Sequence, residues 1–361
     1  MGSRTRQGNV TVFCSRGTIT LGLVAFIGCN CGQASTLEDR PGYYNDTWTF
    51  DSGTWSSRLT AIAPSRREEA AMTYDAGHSV SVLFGGYPAA ADFTVLGDTW
   101  VWDGTVWSQR HPTLSPPARG GAAMVFDVGR QVVILFGGWG QDATQLSDTW
   151  AWNGTVWAEF HPHHSPPASQ SRMAYDAAAE VTLLNDGPQT WTWDGSDWTQ
   201  REVDPAPTGG AHAGMSGGIA GRGVILFGGG NCGLVGAEFT PPPGYQVGPL
   251  STAWAWDGAK WAILTPSPST SASPSTPPAL CDPSLAYDSN RREIVLFGGK
   301  RDWCTTSDET WIWNGTAWTP PTLFETEPDS RSGSSMAYDS SRNVIVLFGG
   351  YRGDCRIGNL P

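Results

Sequence analysis

Asp98-Thr99-Trp100-Val101-Trp102-Asp103-Gly104-Thr105-Val106-Trp107 is the stretch that decides how this chain folds. Successive side chains of a strand point to opposite faces, so Trp100-Val101-Trp102 sets both indoles on one face. Asp103-Gly104 then suits the type I′ turn of a two-residue hairpin, and Trp107 lies on the returning strand. The same pattern recurs at 46–55, 148–157, 189–198, 252–261 and 309–318, making six copies.

A second pattern fills the gaps. It starts rich in Pro and Arg, passes through an apolar stretch ending in Tyr-Asp, turns, and closes on a β-branched run ending in Leu-Phe-Gly-Gly. Clear copies span Pro64 to Gly86, Pro116 to Gly138, Pro277 to Gly299 and Pro328 to Gly350, with weaker ones at Pro166 to Asp186 and Pro207 to Gly229. Each half reads as a hairpin. Two departures are local: Leu183-Leu184-Asn185-Asp186 replaces Leu-Phe-Gly-Gly, and Gly217-Gly218-Ile219-Ala220 stands where Tyr-Asp is due.

The diglycine after an apolar strand, the aromatic strand and the spaced Trp together resemble the kelch repeat over residues 46 to 350. The resemblance implies an all-β, six-bladed kelch-type β-propeller, with the Tyr-Asp and Phe-Gly-Gly strands innermost in each blade and the Trp strands outermost. The sequence opens on an outer hairpin at Asp46 to Arg58 and stops 11 residues after Gly350, the spacing that also separates Gly86 from Asp98. The N-terminal hairpin is therefore expected to complete the last blade, two strands plus two, and to hide the open edges.

Composition agrees. The 361 residues include 45 Gly, 26 Pro and 19 Trp with only 16% charged residues, which favours short strands and turns around a buried aromatic core. A net charge of -12 without a run of Lys or Arg argues against nucleic acid as a partner and reads as a solubility device.

Residues 1–34 read as a signal peptide or lipoprotein leader, and 35–361 as the propeller. Arg4, Arg6 and Arg16 precede an apolar run from Gly17 to Gly28, too short to span a bilayer comfortably. Phe26-Ile27-Gly28-Cys29 resembles a lipobox with Phe in place of Leu, which makes Cys29 a candidate for lipidation; cleavage after Ala34 competes, as does a degenerate strand at Thr18 to Ile27. Export would place Cys232, Cys281, Cys304 and Cys355 in an oxidising compartment, where three pairings are open. The expected location is secreted, periplasmic or at the outer surface, with membrane contact only through the lipid.

Chemistry-bearing motifs are sparse. Asn153-Gly154-Thr155 and Asn314-Gly315-Thr316 match a glycosylation pattern but are also hairpin turns, and His161, His163 and His164 lack a carboxylate or Cys at ligand spacing. Galactose oxidase, a kelch-like copper enzyme, needs a Tyr crosslinked to Cys, a second Tyr and two His; Cys281 and Tyr287 are present without a motif that assembles such a set. Sialic-acid mutarotases are closer in ring size, yet fold alone does not license function. No catalytic residue, metal or cofactor is assigned.

One face stands out. Tyr87, Trp139 and Tyr351 directly follow diglycines, Lys300, Arg301 and Trp303 occupy the equivalent stretch of another blade, and Arg66, Arg119, Arg172 and Arg331 lead into inner hairpins from the same side. Aromatic and Arg side chains are enriched at binding hot spots, so these form the candidate binding surface. The arginines also have a structural reading, as ties between blades. The expected function is a monomeric, non-catalytic binding or scaffold protein that holds a protein or glycan partner on this face. A carbohydrate-active enzyme at the central channel and a purely architectural surface protein are the alternatives.

Overall fold

The computed structural model describes residues 42–89, 94–168, 170–208, 212–218, 223–231, 248–264, 276–302, 304–319 and 326–353. The leader with Cys29, residues 265–275, and Trp303, Cys232 and Cys355 lie outside the described residues. Six four-stranded antiparallel sheets form a propeller. Their innermost strands are Ala71–Asp75, Ala123–Asp127, Arg172–Asp176, Ala213–Gly217, Ser284–Asp288 and Ser335–Asp339, which define blades 1 to 6.

In blade 1 the innermost strand is followed outward by Val80–Phe84, Thr99–Trp102 and Trp107–Arg110. Trp102 faces Trp107 across the outer hairpin, with ring centroids 5.5 Å apart. Blade 6 is made from both ends of the chain: Thr47–Asp51 pairs antiparallel with Val344–Phe348, with Phe348 opposite Thr47 and Leu347 opposite Trp48. The expected two-plus-two closure is therefore the observed one. The departures in blades 3 and 4 do not break the ring, since Val181–Asp186 and Ala213–Gly217 both form strands. In blade 3, Asn185 donates from Nδ2 to the Gly187 carbonyl at 3.0 Å, so its amide satisfies the tight turn that replaces the diglycine loop.

The apolar core lies in six seams between blades. The Trp that begins each outermost strand fills a seam by reaching back to the preceding blade. Trp107 meets Phe348 edge-on at 5.1 Å, Trp157 meets Phe84 at 5.5 Å and Trp198 meets Phe136 at 5.3 Å. Their indoles donate to the Thr of the preceding Asp-Thr-Trp: Trp107 to Thr47 at 2.8 Å, Trp157 to Thr99 at 3.0 Å, Trp198 to Thr149 at 2.9 Å. The motif thus satisfies the one polar group of a buried indole inside an apolar seam.

Diglycines join the blades through backbone bonds. The Gly86 amide donates to the Arg119 carbonyl at 2.8 Å, Gly299 to Arg331 at 2.9 Å, and Gly350 to Arg67 at 2.8 Å. Gly85 has φ +67°, and a Cβ there would sit 2.3 Å from the Arg119 oxygen, so no other residue fits this approach.

Candidate functional site

The diglycine loops and inter-blade crossings do share one side of the ring. Tyr87, Trp139, Lys300 and Tyr351, each the first residue after a diglycine, occupy equivalent positions there. Each pairs with the chain leading into an inner strand: Tyr87 with Glu68, Trp139 with Gly120, Lys300 with Cys281, and Tyr351 with Ser332. All four are half-buried. Tyr351 packs on Tyr43 with ring centroids 4.7 Å apart.

The arginines divide. Arg119 is fully buried, holding both oxygens of Asp148 at 2.6 Å and the Gly137 carbonyl at 2.9 Å. Arg331 does the same with Asp46 and Gly349, and its guanidinium lies 3.9 Å from the Tyr44 ring centre. The third such clamp is Arg67, bound to Asp98 and Gly85, and not its neighbour Arg66, which donates to the Tyr43 carbonyl at 3.0 Å. The clamps lock the Asp of Asp-Thr-Trp to the diglycine turn within one blade, so Arg119 and Arg331 are structural, but as braces inside a blade and not as ties between neighbouring blades. Arg301 pairs with Glu309 at 2.6 Å. Arg172 alone among the named arginines lines the channel.

Two cavities of the channel share a belt of inner-strand side chains. Met72, Met124, Met173, Met215 and Met336, with Leu285 from blade 5, border both a cavity of about 140 Å³ on the loop side and one of about 290 Å³ on the far side. Five of the six methionines of the sequence stand in this collar. The far cavity is walled by Tyr74, Phe126, Tyr175, Tyr287 and Tyr338. On the loop side, Ala and Ser form the walls while Glu69, Arg172 and Asp282 supply the charges.

Those charges belong to a cluster. Asp282 is 2% exposed and is met by three basic side chains: His212 Nδ1 at 2.8 Å, Arg172 Nη2 at 3.4 Å and Lys300 Nζ at 3.4 Å. Glu69 accepts from Gln170 Nε2 at 2.9 Å. Ligand atoms of Glu69, His212 and Asp282 lie within 4.8 Å of one another, a metal-like grouping among the described residues. The ammonium and guanidinium already against Asp282 oppose a divalent cation there. His164, in contrast, is exposed and bonds Asp197 at 2.7 Å.

The same three residues are among the non-glycine residues with left-handed backbone. Glu69, His212 and Asp282 have φ of 51°, 59° and 50°, in the left-handed region. Six residues before the end of each inner strand, blades 2 and 6 place Gly121 and Gly333 with φ 65° and 59°; blades 1 and 5 place Glu69 and Asp282 at that position. A side chain there is strained by roughly 1–2 kcal/mol, and such strain gathers at functional sites. Backbone bonds lace these positions across the mouth, from Gly121 to Glu69, Glu69 to Gly333, Gly333 to Asp282 and Asp282 to His212.

The cluster also sets its own protonation. Burial opposes the charges on His212 and Lys300, but the Asp282 carboxylate outweighs it and raises both. Burial likewise works against Asp282, but His212, Lys300 and Arg172 hold it well below the usual carboxylate range. At Glu68 burial and then the Glu69 charge outweigh the nearby Lys300 and a Tyr43 hydrogen bond and push it up to about 8. A raised carboxyl favours the fold below its unfolded pKa of roughly 4.3, and that contribution is lost as pH rises toward the folded value. His212, also raised, acts with the same sign. Glu68→Gln is therefore expected to flatten the decline in stability between pH 5 and pH 8.5, measured by denaturant midpoints; an unchanged decline would remove Glu68 as its source.

Sequence reading missed Glu68, Glu69, His212 and Asp282. The signal lay in the register: aligning inner strands on their terminal Asp puts Glu69 and Asp282 where Gly121 and Gly333 stand. Cys281 and Cys304 are both disulfide-bonded.

No family profile matches the chain, and no curated protein matches it. Among solved structures it is similar to that of YjhT, at a TM-score of 0.57 and 12% identity, over 81% of this chain and 93% of that one. At that identity the likeness is one of fold.

Proposed function

We propose that this chain is an extracytoplasmic, kelch-type binding protein that holds a protein or glycan partner on its diglycine-loop face, anchored at the channel mouth. The observation that carries the reading is the trio Glu69, His212 and Asp282 in left-handed backbone, of which Glu69 and Asp282 border the mouth cavity at positions where two other blades use glycine. Tyr87, Trp139 and Tyr351, on the adjacent blades 1, 2 and 6 of the same side, are half-buried aromatics suited to contact. The disulfide-bonded Cys281 and Cys304 support an oxidising compartment, and with it the leader and the lipid anchor at Cys29.

A carbohydrate-active enzyme is the second reading. Glu68, with its pKa near 8, and the neighbouring His212–Asp282 pair supply a proton donor and a charged partner at one mouth. Screening the full chain against glycan and extracellular-protein arrays tests the first reading, with an Arg172→Gln/Lys300→Gln double variant as control. Hits that the double variant loses are expected; hits that it retains would move the partner away from the mouth. Conversion of a bound glycan would favour the enzyme.

A further inference from the structure

We propose that the far cavity of the channel takes a small uncharged aromatic molecule, one ring or a fused pair with one hydrogen-bond donor, in the place of an aromatic side chain that blade 4 lacks. The site lies on the side of the ring opposite the diglycine loops and does not rest on the reading of that face.

The register of the inner strands carries the first half of the inference. In every blade the collar residue faces a Leu of the second strand, as Met72 faces Leu83 and Met215 faces Leu226. Two residues further along, five blades place an aromatic: Tyr74, Phe126, Tyr175, Tyr287 and Tyr338. Blade 4 places Gly217 there, on the wall of the cavity. Neither backbone nor packing asks for glycine. Gly217 lies in a strand and is not among the glycines with left-handed backbone. Among the described residues, a Cβ on it would meet only the Tyr175 carbonyl, at an ordinary 3.5 Å. The wall of rings therefore has one gap, and the cavity that it borders, of about 290 Å³, holds roughly ten waters' share of liquid.

The lining supplies the second half. It holds no Asp, Glu, Lys, Arg or His among the described residues, and besides the phenols only Thr73 and Ser216 bring a polar side-chain group. Three phenol oxygens are engaged at the hairpin turns: Tyr74 donates to Ser341 Oγ at 2.6 Å, Tyr338 donates to Asn343 Oδ1 at 3.1 Å, and Tyr175 accepts from the Gly129 amide at 3.1 Å. What these residues leave for the cavity is ring surface, and the collar adds thioethers, which make favourable contacts with aromatic rings. The carboxylates that follow the aromatics are committed too. Asp75 meets His78, while Asp127, Asp288 and Asp339 meet Arg130, Arg291 and Arg342. Asp176 accepts from the Ala178 and Ala179 amides and the Trp256 indole. A charged ligand of either sign finds no free counter-charge, which favours an uncharged one. Each inner strand is the edge of its sheet, and edge carbonyls suit one N–H or O–H on the ring.

Calorimetric titration of the full chain, paired with melting midpoints, provides the test. The probes are phenol, indole, cyclohexanol and tetramethylammonium chloride. Phenol and indole are expected to bind and to raise the midpoint. Cyclohexanol keeps the ring size and hydroxyl of phenol without its π faces, and is expected to bind about tenfold more weakly than phenol. Gly217→Phe supplies the missing ring: its midpoint is expected to match or exceed that of the unaltered chain, and its indole affinity to fall by about tenfold or more. Gly217→Leu needs less room and is the second variant, expected to weaken indole in the same direction. The proposal is overturned if neither phenol nor indole binds, if phenol and cyclohexanol bind alike, if tetramethylammonium binds and the aromatics do not, or if either variant, folded, keeps indole at full affinity.

Discussion

Trp55→Ala is expected to lower stability by about 3 to 5 kcal/mol, the usual loss when a buried Trp is truncated. Trp55 is fully buried, sits 5.2 Å from Phe297 and donates to Thr310 at 2.9 Å. It belongs to the hairpin that the N-terminal segment contributes to blade 6, so its seam is the one that closes the ring on blade 5. Denaturant unfolding of the variant measures the loss. A change below about 1 kcal/mol, the scale of a surface substitution, would mean that this hairpin does not close the ring.

Arg119→Ala is expected to be equally severe, at about 3 to 5 kcal/mol, because it strands the partly buried Asp148 carboxylate and the Gly137 carbonyl. Arg119→Lys should recover only part of that loss: one ammonium cannot match the planar fork that meets both Asp148 oxygens and the Gly137 carbonyl at once. The pair also has a pH signature. Burial works against the Asp148 charge, but Arg119 outweighs it and lowers the Asp148 pKa, so its contribution is present at neutral pH and fades as pH falls through the depressed value. Full recovery by Lys would reduce the clamp to a simple charge pair.

The fold was legible because the repeats carry both of its requirements. Trp-x-Trp followed by Asp-Gly specifies a hairpin from neighbours alone, and Phe-Gly-Gly followed by Asp-Thr-Trp names the atoms that meet across a seam, as Phe84 and Thr99 do at Trp157. The site was less legible because it depends on contacts between residues distant in sequence, some within a blade and some between blades. Arg66 and Arg67 are adjacent in sequence, and only the strand register decides that Arg67 turns inward to Asp98. Arg119 and Arg331 have the composition of a hot spot, yet their partners Asp148 and Asp46 lie 29 and 285 positions away and draw them into the interior. His212 and Asp282 come from different blades, and nothing local to either announces a left-handed backbone.

Glu69→Gly offers the most direct measurement. Two other blades use glycine at this position with the same backbone conformation, so the substitution relieves strain of roughly 1–2 kcal/mol while removing the charge from the mouth. If Glu69 is there for a ligand, the melting midpoint stays level or rises and ligand binding falls. A lower midpoint with binding intact would make Glu69 a structural residue and contradict the placement of the functional site at the channel mouth.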